Sequence, residues 1–440
     1  MHPETTPAHK RFLAAEGGGI APMSLAFLFL FIAAGGLAVD ISHHVAARAQ
    51  LQIATDTAAH AALVARRRND EAEARQIALE LFEANMPSRR QGMALTADDI
   101  VFGRRENGAF VADPGSRTGV RVVARRIEER DNAMRTFLLR IVGVDSLEIV
   151  TAASFSHYQP ICIEEGFVAE GKVDVQSNNN YLNGFCIHSN DYVRINQNNY
   201  FEQGTIVSMP DLDLLQIANS GFERNEGLEM ALREGWLDVR ILRELDDVIH
   251  AVLTNDEEYA RDYITSPSAE VRSFNRNNNQ VRASDLLHGR IHDMRCVGQN
   301  QRISIPNGEL LSDLVIVTNC QVDFGSNVRL ENVAIASTNT TSAAISGASG
   351  VTIGRDDNCA PGGGAQIITL GSMRFPANLG IFGGQLIALG DIEFAARANG
   401  VQGASLIAGG VIDGTSNSTM SRCNTGMEDN YTSPYYRMTE

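Results

Sequence analysis

Hydrophobic positions change their spacing along the chain, and each change predicts a different kind of structure. Gly17–Val39 is an uninterrupted run without a charged side chain, long enough at about 1.5 Å per residue to cross a hydrocarbon core about 30 Å thick. The run predicts a retained transmembrane helix. A cleaved signal peptide and a buried core helix are the alternatives, but a signal peptide has a shorter apolar core of ~7–15 residues and a small-residue cleavage site.

The residues after this run are rich in alanine and predict helices. Between Asp40 and Met86 there is neither proline nor glycine, and alanine has the best helix propensity. We expect one helix that leaves the membrane, followed by a second that reaches Leu81 and Phe82. The small residues of the first helix either allow close approach of a partner helix or only favour helix formation.

Alternating apolar residues from Asp99 to Ala152 predict a small α+β domain, because short strands are separated by Asn-Gly and Pro-Gly turn signals. The expected strands are Ile100–Gly103, Phe110–Val111, Val120–Ala124 and Leu147–Ala152, and the expected helix is Asn132–Val142.

From Pro160 onward short β-branched segments repeat. Gln366–Phe375 realigns on Gln385–Phe394 after 19 residues and on Ser405–Gly414 after a further 20. A repeat this short, with a strand in each unit, is typical of a right-handed parallel β-helix-like solenoid, in which stacking buries the apolar face of every turn. An antiparallel sandwich is the alternative.

Two further patterns belong to this half of the chain. Between residues 210 and 265 apolar spacing predicts two helices inserted among the strands, with Trp236 packed between them. Asn178–Asn180 and Asn277–Asn279 suit solenoid corners or loops, because asparagine tolerates left-handed backbone conformations.

The predicted fold class is α+β with a mostly-β C-terminal half, divided into eight segments. They are a cytoplasmic leader (1–16), a transmembrane helix (17–39), membrane-proximal helices (40–86), a small α+β domain (87–159), a β-rich segment (160–209), a helical insertion (210–265), a β-solenoid (266–423) and a polar tail (424–440).

All six cysteines lie beyond the apolar run, and none shows the spacing of a zinc site. An even number in an exported region indicates disulfides. Two equal intervals of 24 residues favour sequential pairing among the 15 possible connectivities; the alternative is that some cysteines are buried thiols. The candidate pairs are Cys162 with Cys186, Cys296 with Cys320, and Cys359 with Cys423.

Charge distribution separates the two halves of the chain. The net charge of −16 lies entirely in residues 161–440, which hold 19 basic and 35 acidic residues. A nucleic-acid interface is excluded because it needs a basic footprint. Lys10 and Arg11 directly precede the apolar run, whereas the next positive charge is Arg48, so the positive-inside rule predicts a cytoplasmic N-terminus.

Short motifs surround the apolar run: Arg11–Leu13 and Glu16–Gly17 before it, Ala38–Asp40 at its end and Ala49–Ala59 after it. With the small domain, over about residues 10–160, they resemble the TadE/TadG-like proteins of the Tad (Flp) pilus-assembly system. The resemblance implies a single-pass inner-membrane protein with its C-terminal bulk in the periplasm. It implies as partners the lipid bilayer, through residues 17–39, other pilus-assembly proteins and, in a homo-oligomer, further copies of the chain.

Departures from the family pattern narrow this expectation. Pilin-like members carry a glutamate at the start of the apolar run, where this chain has Met23 and Ser24, so neither prepilin cleavage nor polymerisation as a pilin is expected. Many TadG-like proteins also contain a von Willebrand A domain with an Asp-x-Ser-x-Ser metal site, and the sequence has no such segment.

The favoured function is a membrane-anchored structural component that binds proteins through its solenoid, without catalysis, cofactor or metal. His43 and His44 are expected on a solvated face, because adjacent helical residues point about 100° apart. The alternative is an envelope-anchored carbohydrate-binding or polysaccharide-cleaving β-helix, since Asp391, Glu393 and Asp413 fall at matching repeat positions. An outward charged face is the simpler interpretation of these carboxylates, and an adhesin released by cleavage is a third hypothesis.

Overall fold

The computed structural model describes residues 20–106, 108–219 and 221–439. The predicted leader at 1–16, with its motif residues Lys10, Arg11 and Glu16, and the first residues of the apolar run, 17–19, lie outside the described residues. The chain forms two compact units, one comprising Met1–Tyr158 with Pro434–Glu440 and the other comprising Gln159–Ser433.

Helices of the first unit are α1 (Ile20–Arg66), α2 (Glu71–Asn85) and α3 (Ser88–Gln91). The apolar run and the alanine-rich segment therefore form one continuous helix, α1, which Gly35 and Gly36 do not interrupt. Asp70 caps α2 because its side chain accepts the backbone N–H of Glu73 at 2.9 Å.

The sheet of the first unit is antiparallel and has five strands. Four of its strands are β1 (Ile100–Glu106), β2 (Ala109–Ala112), β3 (Gly119–Arg126) and β6 (Ile149–Tyr158). Between β3 and β6 in the chain, β4 (Met134–Arg135) and β5 (Ser146–Leu147) form a separate two-stranded sheet. The order is β2, β1, β3, β6 and then a C-terminal strand, Tyr435–Met438. That strand lies in the segment predicted as a polar tail, where burial of Tyr435 gives it an apolar anchor.

The helix predicted over Asn132–Val142 is wrong. The structure has β4, a connection and a 3-10 turn, Leu139–Val142, which ends at Gly143 with a φ of 89°. The apolar spacing was misleading because Phe137 and Ile141 are exposed instead of packed in a core. The backbone N–H groups of residues 137–139 bond to Asp40, so they are not available for helix hydrogen bonds in the preceding turn.

The second unit contains a 24-stranded sheet among the described residues. Its first ten strands are β7 (Gly166–Ala169), β8 (Val173–Val175), β9 (Asn180–Leu182), β10 (Cys186–Ser189), β11 (Val193–Ile195), β12 (Asn199–Phe201), β13 (Ile206–Met209), β14 (Gln216–Ile217), β15 (Asn225–Glu226) and β16 (Leu232–Glu234). The later strands are β17 (Ser266–Phe274), β18 (Asn278–Gln280), β19 (Arg290–Cys296), β20 (Arg302–Ile305), β21 (Leu310–Thr318), β22 (Gln321–Phe324), β23 (Arg329–Ser337), β24 (Ile345–Gly347), β25 (Thr352–Ile353), β26 (Ala365–Thr369), β27 (Met373–Ala388), β28 (Ile392–Ala408), β29 (Ile412–Asp413) and β30 (Thr419–Ser421).

Neighbouring strands of this sheet pair in parallel, in the register that the sequence repeat predicts. Gln366 pairs with Gln385, and Gln385 pairs with Ser405. Parallel pairing excludes the antiparallel sandwich. Ile367, Leu386 and Leu406 then form one buried row of the apolar core.

The spatial order of the strands differs from their order in the chain. Ser405–Ala408 at the end of β28 pairs with Gly166–Ala169 of β7, so the first strand of the unit lies beside one of its last. Asp413 of β29 likewise pairs with Asp174 of β8. The row of strands therefore runs from β17 through β28 and continues through β7 to β16.

Short helices accompany the sheet: α4 (Ile161–Glu164), α5 (Leu228–Ala231), α6 (Arg240–Arg243) and α7 (Leu245–Thr254). Helix α7 buries Leu245, Val248 and Ile249 and packs on β17, β21, β23 and β26. Several strands are consequently buried on both faces, as Ile367 and Ile368 of β26 show. The predicted packing of Trp236 between two helices is wrong, because Trp236 lies in the loop before α6 and is 66 % exposed.

The run Asn178–Asn180 contacts Asn198, Asn199 and Asn417 in the second unit, and this cluster is called the asparagine corner. Asn178, Asn198 and Asn417 adopt φ angles of 62°, 63° and 59°, a left-handed conformation that asparagine tolerates. Inside this corner, the backbone N–H of Asn179 donates to the Asn199 side chain at 3.0 Å, and that of Asn199 donates to Asn225 at 3.2 Å. The other run differs, because Asn278 and Asn279 belong to β18.

Candidate functional site

The apolar half of α1 presents a bare hydrophobic surface. Only 11 % of its most hydrophobic 18-residue window is buried in the structure, which argues against the core-helix interpretation. It is the one described helix that is long and apolar enough to cross a membrane. Its large exposed side chains include Leu25, Phe27, Leu28, Phe29, Leu30 and Phe31.

The second half of α1 packs on the sheet of its own unit through the motif residues Ala49–Ala59. Leu51 and Ala58 are fully buried. The side-chain amide of Gln52 donates to the Ala152 carbonyl at 2.9 Å, and the hydroxyls of Thr55 and Thr151 lie 2.7 Å apart. The small residues of this helix therefore allow close packing within the chain.

Asp40, the last residue of the motif Ala38–Asp40, fixes a loop beside the helix. Its carboxylate accepts the backbone N–H groups of Phe137, Leu138 and Leu139 at 2.7, 3.0 and 2.7 Å. Burial opposes ionisation, yet these three N–H groups and nearby His43 hold the pKa of Asp40 below its usual value. Asp40 therefore connects the end of the apolar run to the loop that leads into the 3-10 turn Leu139–Val142.

The paired histidines are not brought together with other metal ligands. His43 is exposed, in agreement with the solvated face predicted for it, and its ring centroid lies 5.0 Å from that of Phe137. His44 is half-buried. Within the described ranges there is no group of three or more His, Cys, Asp or Glu side chains suited to holding a metal ion.

The three candidate carboxylates do not occupy one matching position. Glu393 and Asp413 are register partners, and Asp174 continues their row. Asp391 lies two residues before Glu393, where its carboxylate accepts the Val411 N–H at 2.7 Å and its own N–H bonds to Ser372. The prediction for Asp391 is wrong, because Asp391 lies one residue before β28 and its counterpart in the next repeat is Val411 instead of Asp413.

The row of charges borders a groove of about 540 Å³. Glu393 pairs with Arg374 at 3.2 Å, and Asp413 accepts a hydrogen bond from the Gln176 side chain at 3.0 Å. Asp174 is buried, and its carboxylate forms an ion pair with Nζ of Lys172 at 3.1 Å. Each carboxylate beside the groove thus already has a polar partner from its own unit.

Glu164 and Glu165 hold the end of the second unit instead of forming an open acidic pair. Glu164 pairs with Arg422 at 2.7 Å, and buried Glu165 accepts the N–H groups of Cys423 and Asn424 at 2.5 and 2.6 Å. Burial raises the pKa of Glu165 above its usual value, although the two N–H groups favour its charged form.

The cysteines form three disulfides in the second unit. The pairs are Cys162–Cys186, Cys296–Cys320 and Cys359–Cys423, with Cα–Cα distances of 5.0, 5.3 and 5.6 Å. These are the sequential pairs preferred from the spacing. Among the described residues no cysteine is free.

Comparison with known families separates the chain into two regions. The family model described as Domain of unknown function (DUF7867) matches residues 166–424, which correspond to the large parallel sheet. The Tad model, for Flp pilus-assembly TadE/G-like proteins, matches residues 18–69, which include the apolar run and the Ala49–Ala59 motif. No curated protein matches the chain, and no solved structure does.

Proposed function

This chain belongs to the DUF7867 domain family, and we propose that its amino-terminal TadE/G-like segment makes it a membrane-anchored structural component of a Tad-related pilus or secretion assembly. The observation that carries the proposal is the Tad match over residues 18–69, since this stretch combines the exposed apolar helix with the motif packed on the sheet. The exposed helix supports membrane anchoring, because a surface this apolar is costly in water.

The proposal includes a direction across the inner membrane. The N-terminus is cytoplasmic, and the bulk of the chain is periplasmic. Three disulfides in the second unit support an oxidising compartment for it. Alkaline phosphatase fused to the C-terminus should be active in cells, and the same enzyme fused before residue 10 should be inactive. The reverse pattern would contradict this direction.

In the periplasm, the second unit would be a right-handed parallel β-helix that binds other assembly proteins without catalysis. Parallel pairing at the 19- and 20-residue period and the stacked asparagines support this architecture. Its width is set by the repeat and its length by the number of turns, so such a unit can act as a rigid spacer. Neither a cofactor nor a metal is needed for this role.

The test is genetic and uses the whole chain. Deletion should abolish assembled pili or the corresponding secretion, and the full chain should restore them. A variant with residues 17–35 exchanged for an unrelated apolar segment of equal length, which keeps Gly36, should also restore them, whereas the second unit exported alone should not. Normal assembly in the deletion strain would refute the proposal.

A glycan-binding or glycan-cleaving function is the second candidate, favoured by the groove beside Glu393 and Asp413. The existing partners of both carboxylates weigh against it. Complementation of the deletion by a Glu393→Ala and Asp413→Ala double variant is the discriminating measurement. Full complementation agrees with the structural role, whereas failure together with lost polysaccharide binding in the purified variant would support the second candidate.

A further inference from the structure

The loop that Asp40 holds, residues 137–144, exposes apolar side chains. Phe137, Ile141 and Val142 are 55 %, 59 % and 60 % exposed, and Val144 is 39 % exposed. The ring of Phe137 packs against that of His43 on α1, with centroids 5.0 Å apart. Clustered exposed apolar residues on a folded unit mark a surface that binds something apolar.

The position of this loop along α1 identifies its depth. Its N–H groups bond to Asp40, and a Cβ at Gly36 would lie 2.8 Å from the Leu138 Cβ, so Leu138 packs directly on Gly36. Since α1 rises about 1.5 Å per residue, Gly36 lies about 5 Å before the end of the apolar run at Val39. The loop is therefore level with the last turn of the predicted membrane span, and its apolar surface continues that of the helix.

Basic side chains lie at the next level along α1. A pocket of about 580 Å³ in the first unit is lined by four arginines, Arg90, Arg126, Arg135 and Arg140, and on α1 by His43, Ala46, Ala47 and Gln50. Asp131 is its one acidic lining residue in the described part of the chain. His43 lies about 5 Å beyond Asp40 along α1, and the headgroup region extends about 5–8 Å beyond the hydrocarbon core on each side.

We propose that the 137–144 loop inserts into the interface of the bilayer that α1 crosses, as a second lipid contact of the first unit. The inference rests on the proposed membrane anchor. Phe137, Ile141 and Val142 enter the boundary between acyl chains and headgroups, and Arg135 and Arg140 face lipid phosphates. Asp40 then has a defined task, because it fixes the insertion depth of the loop relative to the span.

Depth-dependent quenching of tryptophan fluorescence tests this insertion. Exposed Trp236 is first replaced in Trp236→Phe, so that one new tryptophan is the only reporter. Phe137→Trp is the probe, Phe29→Trp marks the middle of the span, and Val64→Trp is the control. Val64 is 41 % exposed on the same helix, and its position lies about 36 Å beyond Asp40.

The full chain is reconstituted into phosphatidylcholine vesicles that carry bromine either near the headgroup end or near the tail end of the acyl chains. Phe137→Trp should lose roughly half of its fluorescence to the shallow bromines and less to the deep ones. Phe29→Trp should be quenched most by the deep bromines, and Val64→Trp by neither. Ile141→Trp should repeat the shallow pattern, which guards against disturbance of the contact with His43.

The failures of the anchor and of the insertion are distinguishable. Quenching of Phe29→Trp without quenching of Phe137→Trp or Ile141→Trp overturns the insertion and leaves the anchor, as expected for a loop that binds a protein instead. Absence of quenching at Phe29→Trp overturns the anchor itself. Stronger quenching of Phe137→Trp by the deep bromines than by the shallow ones contradicts the interfacial depth.

Discussion

The two units of this chain are stabilised in opposite ways. The first depends on particular contacts of one helix: Asp40 binds three backbone N–H groups, and Gln52 and Thr55 form hydrogen bonds to β6. The second repeats the same contact, with one apolar residue stacked on the next from Ile367 to Leu406. A single substitution should therefore disconnect an element in the first unit, whereas in the second it should perturb one strand and the strands beside it.

The largest loss of stability is expected where β7, the first strand of the second unit, pairs with β28, which comes much later in the chain. Phe167 of β7 is 1 % exposed and contacts Phe185 and Phe394, with ring centroids 5.0 and 5.6 Å away. Phe167→Ala should lower the free energy of unfolding by about 4 kcal/mol, because a cavity remains where β7 meets β28.

Hydrogen exchange followed by mass spectrometry can assign that loss to one unit. Peptides from both β7 and β28 should lose protection in Phe167→Ala, while those from β3 and β6 keep it. Leu51→Ala, which removes a fully buried side chain of α1, is the matched control and should give the reverse pattern. Loss of protection in both units in either variant would show that they unfold together.

Removal of a disulfide should give the second largest difference in stability between the two units. The double variant Cys359→Ala and Cys423→Ala opens a loop with a sequence separation of 64 and should destabilise the second unit by about 3 kcal/mol. The control, Cys296→Ala with Cys320→Ala, opens a separation of only 24 and should cost less. Denaturant unfolding measures the stability lost in both double variants. An equal loss of stability in the first unit would contradict independent stabilisation of the two units.

The asparagine corner provides a smaller effect that tests repetition directly. Asn199→Ala leaves the buried N–H of Asn179 without its acceptor and should cost about 2 kcal/mol in the free energy of unfolding. Asn198→Gly is the control, because glycine adopts its φ of 63° easily. Asn198→Gly also removes the exposed hydrogen bond from the Asn198 side chain to Asn178. A similar loss in both variants would therefore show that the buried acceptor on Asn199 is not the main source of the stability of this corner.

Acid sensitivity should show the smallest difference. Burial and then the charge of Arg67 lower the pKa of His157, in β6, to about 4. Because the unfolded chain binds this proton more readily, the first unit should lose stability as pH falls from about 6.5 to 4, by less than about 3 kcal/mol after allowance for partial exposure. His157→Gln should flatten this slope; an unchanged slope of unfolding free energy against pH would exclude His157 as its origin.

In the second unit the corresponding groups are His188 and His292. Burial lowers the pKa of each, against the opposing influence of Asn190 at His188 and of the Leu287 backbone at His292. Stability of this unit should therefore also fall as pH drops below the ordinary histidine range. The His157→Gln variant should leave that part of the pH dependence unchanged.

Sequence patterns predicted the repeated and continuous features of the fold well. The apolar run, the alanine-rich helix and the 19- and 20-residue period each arise from many residues, so a local exception does not hide them. The loop at Asn132–Val142 was missed because helical spacing of apolar residues also describes a loop that exposes them. Its real determinant, Asp40, is about 97 positions away.

The candidate site was less predictable for the same reason. Alignment of the repeats predicted correctly that Glu393 and Asp413 are neighbours. It did not predict that Asp391 lies outside their row, one residue before β28. Asp174 of β8 completes their row, although it precedes its register partner Asp413 in the chain by more than 200 residues. Contacts this distant leave no periodic signal in one sequence.

The pairing of β7 with β28 has a consequence for synthesis. A growing chain reaches Gly166 about 240 residues before it reaches its partner, Ser405, and at about 5–20 residues per second this interval lasts roughly 12–50 s. During that time β7 presents an open parallel edge, the kind of surface that recruits a strand from another chain. Until Ser405–Ala408 is made, this edge is therefore the part of the second unit most exposed to pairing with a strand of another copy.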